Sequence, residues 1–259
     1  MGILNYTPDS FSDGGRYFEP SLALKRALEM ERDGADIIDI GANSTRPGGD
    51  ILTENEEYSR LEQVLGAVGG KLSKALSVDT FYPSCARLAL DAGADIINDV
   101  SGIFNTEIAL AAKEYGAAYI VTHAPVKAGE TADYKDGVIA SVKDFFTSCV
   151  SLAEETGLGK EHLCLDPGFG FGKTEEENFE LLRGMREYAV PGAALLAGLS
   201  RKRFTALGVT DPAGRDTAAC ALNALAICRG ADIIRVHNVP AGVITARAAF
   251  RSRNGQNHY

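Results

Sequence analysis

The stretch Gly-Ala-Asp-Ile-Ile occurs three times in this chain, and this repeat narrows the possible folds more than any other feature. The copies occupy residues 34–38, 93–97 and 230–234, and each follows an amphipathic stretch. We expect each glycine to end a helix in the left-handed conformation, and each Ile-Ile pair to form a strand buried on both faces, as parallel strands are. A polar residue follows each copy: Asp39, Asn98 and Arg235. Such equivalent strand ends indicate a repeating β/α structure with its chemistry on one face.

The whole chain alternates between strand-like and helix-like runs. Eight strands are predicted, at residues 2–5, 35–40, 75–79, 95–99, 118–122, 163–166, 194–198 and 233–237. Helices are predicted to begin near Ser21, Glu54, Pro83, Thr106, Lys135, Thr174, Asp211 and Pro240. This alternation predicts a parallel sheet, and eight units in 259 residues predict an α/β fold, the (β/α)8 TIM barrel. We expect one domain over residues 1–259, with 251–259 as a frayed tail; an open doubly wound sheet is the alternative.

Composition argues against several other classes of protein. No apolar run approaches the roughly 20 residues that a membrane span needs. Charged residues stand where a signal peptide would need an apolar core, namely Asp9, Asp13 and Arg16. The five cysteines form no Cys-x-x-Cys pair, which is typical of reduced thiols in a cytoplasmic protein. The net charge of −9 argues against a nucleic-acid surface, so we expect a cytoplasmic protein whose partners include neither nucleic acid nor membrane.

One group of polar residues at the predicted strand ends contains Asp79, Asn98 and Asp166. Buried carboxylates without partners are costly, so this group predicts a ligand with several N–H donors, such as the guanidine-like edge of a fused heterocycle. Lys202, after the seventh predicted strand, is placed to bond a ring carbonyl or nitrogen of that ligand. A single strand-end Asp often only caps the next helix, but that explanation accounts poorly for three such residues.

A second group contains Asn5, Thr45, Arg235 and His237. Arginine and histidine together with neutral donors suit a phosphate or pyrophosphate. Asn5 offers a neutral oxygen, which suits a Mg²⁺ ion that stays mostly hydrated and bridges to the phosphates. Arg235 alone could form a surface salt bridge, but His237 lies two residues later on the same strand face and favours the anion site.

Seven motifs along nearly the whole chain resemble the signatures of the dihydropteroate synthase family. In order they are residues 2–5 with 7–15, then 44–48, 77–80, 97–99, 165–168 with 171–173, 200–202 and 235–237. The resemblance implies a transferase of folate biosynthesis. Such an enzyme condenses 6-hydroxymethyl-7,8-dihydropterin pyrophosphate with 4-aminobenzoate to 7,8-dihydropteroate, releases pyrophosphate and needs Mg²⁺. The resemblance also implies a homodimer formed through the last two helices, and sensitivity to sulfonamides.

The resemblance assigns roles that agree with the two groups of strand-end residues. It implies catalytic roles for Asp79, Asp166, Lys202, Arg235 and His237. It implies substrate binding by these residues and by Asn98 and Thr45, with Mg²⁺ at Asn5. Near the 4-aminobenzoate it implies Arg46 at the carboxylate, with Pro47 and Phe171 packed on the ring. Loops 8–15 and 44–49 would close over the site and exclude water.

Three positions depart from the family pattern: Ala42-Asn43, Thr122-His123-Ala124-Pro125 and Arg203. Arg203 stands where a serine that helps to hold the 4-aminobenzoate carboxylate is common. An arginine at this position could strengthen the contact with the carboxylate or crowd the pocket. These departures bear on 4-aminobenzoate affinity and drug sensitivity more than on the pterin site.

Two rival functions share part of this pattern. A methyltetrahydrofolate methyltransferase would use the same Asp and Asn anchors for a pterin, but it handles no pyrophosphate and does not need Arg235 with His237. A pterin-binding protein without turnover is the second rival. The complete set of Asn5, Lys202, Arg235 and His237 argues against it.

Overall fold

A computed structural model describes residues 1–7, 19–43, 51–126 and 130–254. Eight parallel strands lie in sequence order in one sheet: β1 Gly2–Asn5, β2 Ile37–Gly41, β3 Ala75–Asp79, β4 Ile96–Asp99, β5 Ala118–Thr122, β6 Leu163–Asp166, β7 Ala194–Ala197 and β8 Ile233–Ile234. The sheet closes because Val236, just past β8, forms a parallel bridge with Gly2. The backbone N–H of Ile3 donates to the carbonyl of Val236 at 2.9 Å. The prediction of a (β/α)8 barrel is confirmed, and the open sheet is excluded.

The helices surround this barrel and begin close to the predicted positions. They are α1 Pro20–Arg32, α2 Glu54–Val68, α3 Pro83–Asp91, α4 Thr106–Tyr115, α5 Val138–Thr156, α6 Glu175–Arg183, α7 Met185–Tyr188, α8 Pro212–Cys228 and α9 Val239–Asn254. Local sequence accounts for these boundaries. Thr53 and Thr174 each form a capping box at a helix N-terminus, and Gly116 and Gly157 end α4 and α5 in the left-handed conformation. The start of α5 differs by three residues from the predicted Lys135.

The repeated glycines adopt the predicted left-handed backbone. Their φ angles are +97° at Gly34, +90° at Gly93 and +116° at Gly230. In each Ile-Ile pair the first residue points into the barrel interior and the second packs against the helices. The inner residues Ile37, Ile96 and Ile233 share one cluster, whereas the outer residues Ile38, Ile97 and Ile234 lie in the surrounding core. The prediction of strands apolar on both faces is therefore confirmed.

Inward-pointing side chains form layers of four that come from alternate strands, as expected for a barrel of this kind. The strand register gives a lowest layer of Ile37, Ile96, Cys164 and Ile233, followed by Met1, Ser77, Ile120 and Leu196. We call the next layer, of Asp39, Asn98, Asp166 and Arg235, the polar layer. The top layer contains Ile3, Asp79, Thr122 and Gly198. The interior thus changes from apolar to polar toward the carboxyl ends of the strands.

Two further features concern the ends and the surface of the chain. Helix α9 runs to Asn254, which is four residues into the tail that we expected to fray, and residues 255–259 lie outside the described part of the chain. Among the described residues, every helix is too short or too polar to cross a bilayer.

Candidate functional site

The carboxylate of Asp39 is fully buried and binds two other members of the polar layer, Asn98 and Arg235. Its Oδ2 accepts hydrogen bonds from Arg235 Nε at 2.6 Å and from Asn98 Nδ2 at 3.2 Å. Its Oδ1 accepts from Ser77 Oγ at 2.6 Å, one layer below. The residues that follow the three sequence repeats therefore meet in the centre of the barrel.

Arg235 also reaches upward to Asp79 in the top layer. Its Nη2 donates to Asp79 Oδ2 at 2.9 Å, so its guanidinium group bridges two carboxylates. Burial would lower the pKa of Arg235, but the charges of Asp39 and Asp79 outweigh burial and raise the pKa above its usual value. Burial raises the pKa of Asp79 to about 7; Arg235 opposes this rise and Asp39 adds to it. The protonation of Asp79 is therefore sensitive to pH near neutrality.

Asp166 and Lys202 form the opposite side of the same space. Asp166 Oδ1 accepts a hydrogen bond from the backbone N–H of Gly168 at 2.7 Å, which fixes the carboxylate. Burial raises the pKa of Asp166, and the nearby Lys202 opposes that rise. Burial lowers the pKa of Lys202 to about 8, against the attraction of Asp166. Both groups lie beside Gly198, because a Cβ atom there would be 3.7 Å from Asp166 Oδ2 and 3.8 Å from Lys202 Nζ.

Lys202 also links this space to the glycine-rich loop after β6. Its ammonium group donates to the carbonyl of Phe169 and lies 4.5 Å from the centre of the Phe171 ring. This distance is that of a cation–π contact. Phe171, which was predicted to pack on the second substrate, is therefore next to the Lys202 and Asp166 pair.

Lys173 holds the same loop in shape. Its buried ammonium group donates to three backbone carbonyls: Phe171 at 2.9 Å, Gly168 at 3.0 Å and His123 at 3.1 Å. These bonds tie the loop to the end of β5. Burial and the neighbouring charge of Lys202 lower the pKa of Lys173 to about 7, while Asp166 opposes this effect.

His237 and Asn5 lie at the mouth, where the barrel closes between its last and first strands. His237 Nδ1 is hydrogen-bonded to Ser200 Oγ at 2.9 Å, and Ser200 Oγ also accepts from the backbone N–H of His237 at 3.2 Å, so the imidazole is oriented by the end of β7. Asn5 ends β1 and is partly exposed. Within the described ranges its side-chain amide has no hydrogen-bond partner, which leaves it able to bind a ligand oxygen or an ion.

The predicted site residues thus come together at one end of the barrel wherever they can be described. Asp39 joins Asn98 to Arg235, and Arg235 in turn binds Asp79. Asp166, Lys202 and Phe171 form the facing group. Three predicted residues, Thr45, Arg46 and Pro47, and the loops 8–15 and 44–49, lie outside the described residues. Arg203 is exposed and begins a short 3-10 turn, Arg203–Ala206.

Two residues that the sequence analysis did not select shape the site. Asp39 was recognisable as the polar residue after the first repeat, in the same position as Asn98 and Arg235. Lys173 ends the Gly-Phe-Gly-Phe-Gly-Lys run, but nothing in that run indicates that its charge would be satisfied by carbonyls alone.

The described residues contain no group of three or more His, Cys, Asp or Glu side chains that could hold a metal ion. A metal at this mouth would therefore depend on few protein ligands and on oxygen atoms of a bound substrate or of water. A mostly hydrated Mg²⁺ ion has this preference.

A protein-family match and individual relatives point to the same group of enzymes. Residues 1–237 match the protein family described as pterin binding enzyme. The dihydropteroate synthase of Streptococcus pyogenes is 41% identical over 245 residues, which are 93% of this chain and 90% of that protein. A probable bifunctional folylpolyglutamate synthase/dihydropteroate synthase of Haloferax volcanii is 44% identical over 98% of this chain. The chain spans only 30% of that longer relative.

Two solved structures that superimpose closely on this chain come from the same group of enzymes. The dihydropteroate synthase of Xanthomonas albilineans with 4-aminobenzoic acid superimposes with a TM-score of 0.89 at 37% identity, over 98% of this chain and 92% of that chain. The Yersinia pestis dihydropteroate synthase with a sulfonamide drug complex gives a TM-score of 0.88 at 34% identity, over 98% and 93% of the two chains.

Proposed function

This chain belongs to the dihydropteroate synthase family of pterin-binding enzymes, and from that membership we propose that it condenses 6-hydroxymethyl-7,8-dihydropterin pyrophosphate with 4-aminobenzoate. The products are 7,8-dihydropteroate and pyrophosphate, in folate biosynthesis. The observation that carries the proposal is that one barrel mouth combines two chemistries. Carboxylates and an amide with a lysine lie in its upper layers, and Arg235, His237 and Asn5 lie where the barrel closes.

The pterin ring binds between the two facing groups of the mouth. The carboxylates of Asp79 and Asp166 accept hydrogen bonds from the polar edge of the ring, and the amide of Asn98 donates or accepts there. Lys202 bonds a ring oxygen or nitrogen. Gly198 leaves room for a flat ligand beside Asp166 and Lys202, because it adds no side chain to the top layer. As the bond to pyrophosphate breaks, the pterin methyl group becomes cationic. The carboxylates then attract the ring more strongly than in the ground state, which lowers the barrier.

The departing pyrophosphate is bound by Arg235, His237 and Thr45 at the mouth. Arg235 supplies a permanent positive charge, and its bonds to Asp39 and Asp79 fix the guanidinium before the substrate arrives. Mg²⁺ fits this arrangement at Asn5, whose neutral oxygen would be one ligand among waters and phosphate oxygens. When bound, the ion neutralises charge on the leaving group.

The 4-aminobenzoate binds above the pterin, where its amine can attack the methyl carbon. Phe171 packs on its ring together with Pro47, and Arg46 pairs with its carboxylate. Lys173 supports this pocket by fixing the loop that carries Phe171. Sulfonamides would compete for the same space, as the drug complex of the Yersinia pestis relative suggests by analogy.

The active form is a homodimer of a cytoplasmic protein. Helices α8 and α9 pack against each other and expose the residues Leu225, Ile244 and Phe250, which are 44%, 69% and 54% exposed. Exposed apolar side chains on neighbouring helices suit an interface between two copies. The five cysteines are free thiols, which suits a reducing cytoplasm.

Release of pyrophosphate from the pterin substrate, measured with and without 4-aminobenzoate, tests this function. The expected result is release that depends on 4-aminobenzoate and on Mg²⁺. A methyltetrahydrofolate methyltransferase or a pterin-binding protein without turnover would release no pyrophosphate under either condition, and that result would refute the proposal.

A further inference from the structure

The hydroxyl group of Thr122 is buried without a partner. Thr122 ends β5 and is fully inaccessible to solvent, and its Oγ1 has no hydrogen-bond partner among the described residues. A buried hydroxyl group that makes no hydrogen bond destabilises a protein, and valine would fill the same volume without that cost. The unpaired hydroxyl group therefore does not serve the stability of the free protein, and a bound ligand is the partner that could satisfy it.

The position of Thr122 places this hydroxyl inside the barrel mouth. Ile120, two residues earlier on the strand, packs in the interior cluster with Cys164 and Leu196. Since successive side chains alternate between faces, Thr122 points to the same interior. The register pairs Thr122 with Asp166 on the neighbouring strand, so their side chains stand side by side on the inner face.

The surroundings of Thr122 are those of the proposed ring pocket. Thr122 belongs to the top layer with Asp79 and Gly198, and the polar layer with Asn98 and Asp166 lies directly below. Phe171, by contrast, lies on the loop beyond β6. A ligand that reaches Asp166 and Asn98 must therefore pass next to Thr122, whereas one that only packs on Phe171 need not.

We propose that Thr122 is a specificity-determining residue whose hydroxyl group hydrogen-bonds a polar atom on the edge of the bound heterocycle, between the groups held by Asn98 and Asp166. This inference rests on the proposed function of the same site. A hydroxyl both donates and accepts, so it suits either a ring nitrogen or a ring N–H. A ligand without a polar atom at that edge would leave the hydroxyl unpaired and would be discriminated against.

Thr122→Val tests the proposal, because it removes the hydroxyl at constant shape. Titration calorimetry with 6-hydroxymethyl-7,8-dihydropterin pyrophosphate should show binding weakened roughly five- to tenfold, while the urea midpoint stays equal to or above that of the parent. Thr122→Ser should bind within about twofold of the parent, because it keeps the hydroxyl. Thr245→Val, a change of a buried threonine on α9 that bonds Ala241, should leave pterin affinity unchanged.

Three results would overturn this inference. The first is Thr122→Val binding as tightly as the parent, and the second is an equal loss in Thr245→Val. The third is weaker binding that merely accompanies a lower urea midpoint. If Thr122→Val does not fold, Thr122→Ala against Thr122→Ser makes the same comparison, and equal affinities there refute the inference. A parent protein that does not bind the pterin at all overturns the proposed function, and this inference with it.

Discussion

Arg235 and Asp39 lie 196 residues apart in the sequence, yet Arg235 Nε donates to Asp39 Oδ2 at 2.6 Å. Barrel closure makes this contact possible, because it brings the last strand beside the first. The same oxygen accepts from Asn98, so one buried carboxylate joins the residues after all three sequence repeats. The sequence repeat therefore places three polar residues of the candidate site next to one another.

Removing this carboxylate should destabilise the fold. In Asp39→Asn the guanidinium of Arg235 loses the negative charge of one of its two carboxylate partners inside the barrel. Breaking a buried ion pair in this way costs about 3 kcal/mol. Urea unfolding of parent and variant measures the difference. Glu176→Gln breaks the exposed pair with Arg183 and should change stability by less than about 1 kcal/mol. Equal effects of the two variants would contradict a central role for Asp39.

Asp79 should make stability depend on pH in a defined direction. Its pKa in the folded protein is about 7, above the ordinary 3.8, so the folded state holds the proton more tightly than the unfolded state. The stabilisation is fully present below about pH 4 and is lost as pH rises through 7.

Asp79→Asn keeps a neutral side chain and removes this titration. The titration of Asp79 covers roughly pH 4.5 to 8. Over this range, urea unfolding should show the free energy of unfolding of the parent falling relative to that of the variant. Asp36→Asn, at a carboxylate whose side chain is 90% exposed, should follow the parent. A stability difference between parent and Asp79→Asn that stays constant with pH would refute the assignment.

Lys173 should act on catalysis through the loop that it holds. Lys173→Met removes the ammonium donor from the carbonyls of His123, Gly168 and Phe171, of which only Gly168 keeps another donor among the described residues, the backbone N–H of Phe171. The Phe171 ring and the Gly168 N–H bonded to Asp166 would shift, and misplacement by about 1 Å can cost 10²-fold in rate. Steady-state kinetics should show kcat/KM for 4-aminobenzoate falling by about that factor. Lys143→Met, on the exposed face of α5, is the control, and an equal response of the two variants would be evidence against the role of Lys173.

The proposed dimer depends on the exposed apolar side chains of α8 and α9. Ile244→Glu places a charge among them and should convert dimers to monomers in sedimentation velocity experiments, because an unpaired charge is costly at an apolar contact. Leu110→Glu changes a residue on α4 that is 45% exposed and should leave the dimer intact. A parent protein that sediments as a monomer, or an Ile244→Glu dimer of unchanged stability, would show that this face is not the interface.

The sequence was sufficient to predict the barrel because the repeat shows where each helix ends and each strand begins, and which residues of the strand are apolar or polar. Glycine ends each helix, and the two isoleucines fill opposite faces of each strand. The polar residue after each copy, two positions past the inner isoleucine, then necessarily points into the barrel interior. The motifs around Asp166 and Lys202 likewise identified residues that the fold brings together.

Other features of the site could not be predicted in this way. The pairing of Arg235 with both Asp39 and Asp79 depends on strand register and side-chain rotamers. The three carbonyls around Lys173 come from the path of a loop, which residue types do not specify. The unpaired hydroxyl of Thr122 is visible only when every nearby donor and acceptor has been placed.

The most direct test of the account is the binding of 6-hydroxymethyl-7,8-dihydropterin pyrophosphate to Asp166→Asn, measured by calorimetry against the parent. In the proposed mechanism, the Asp166 carboxylate anchors the ring inside the barrel. A hydrogen bond to a charged group contributes about 1.5–3 kcal/mol, so affinity should fall roughly 10- to 100-fold. Asp166→Asn that binds the pterin as tightly as the parent would contradict the central claim.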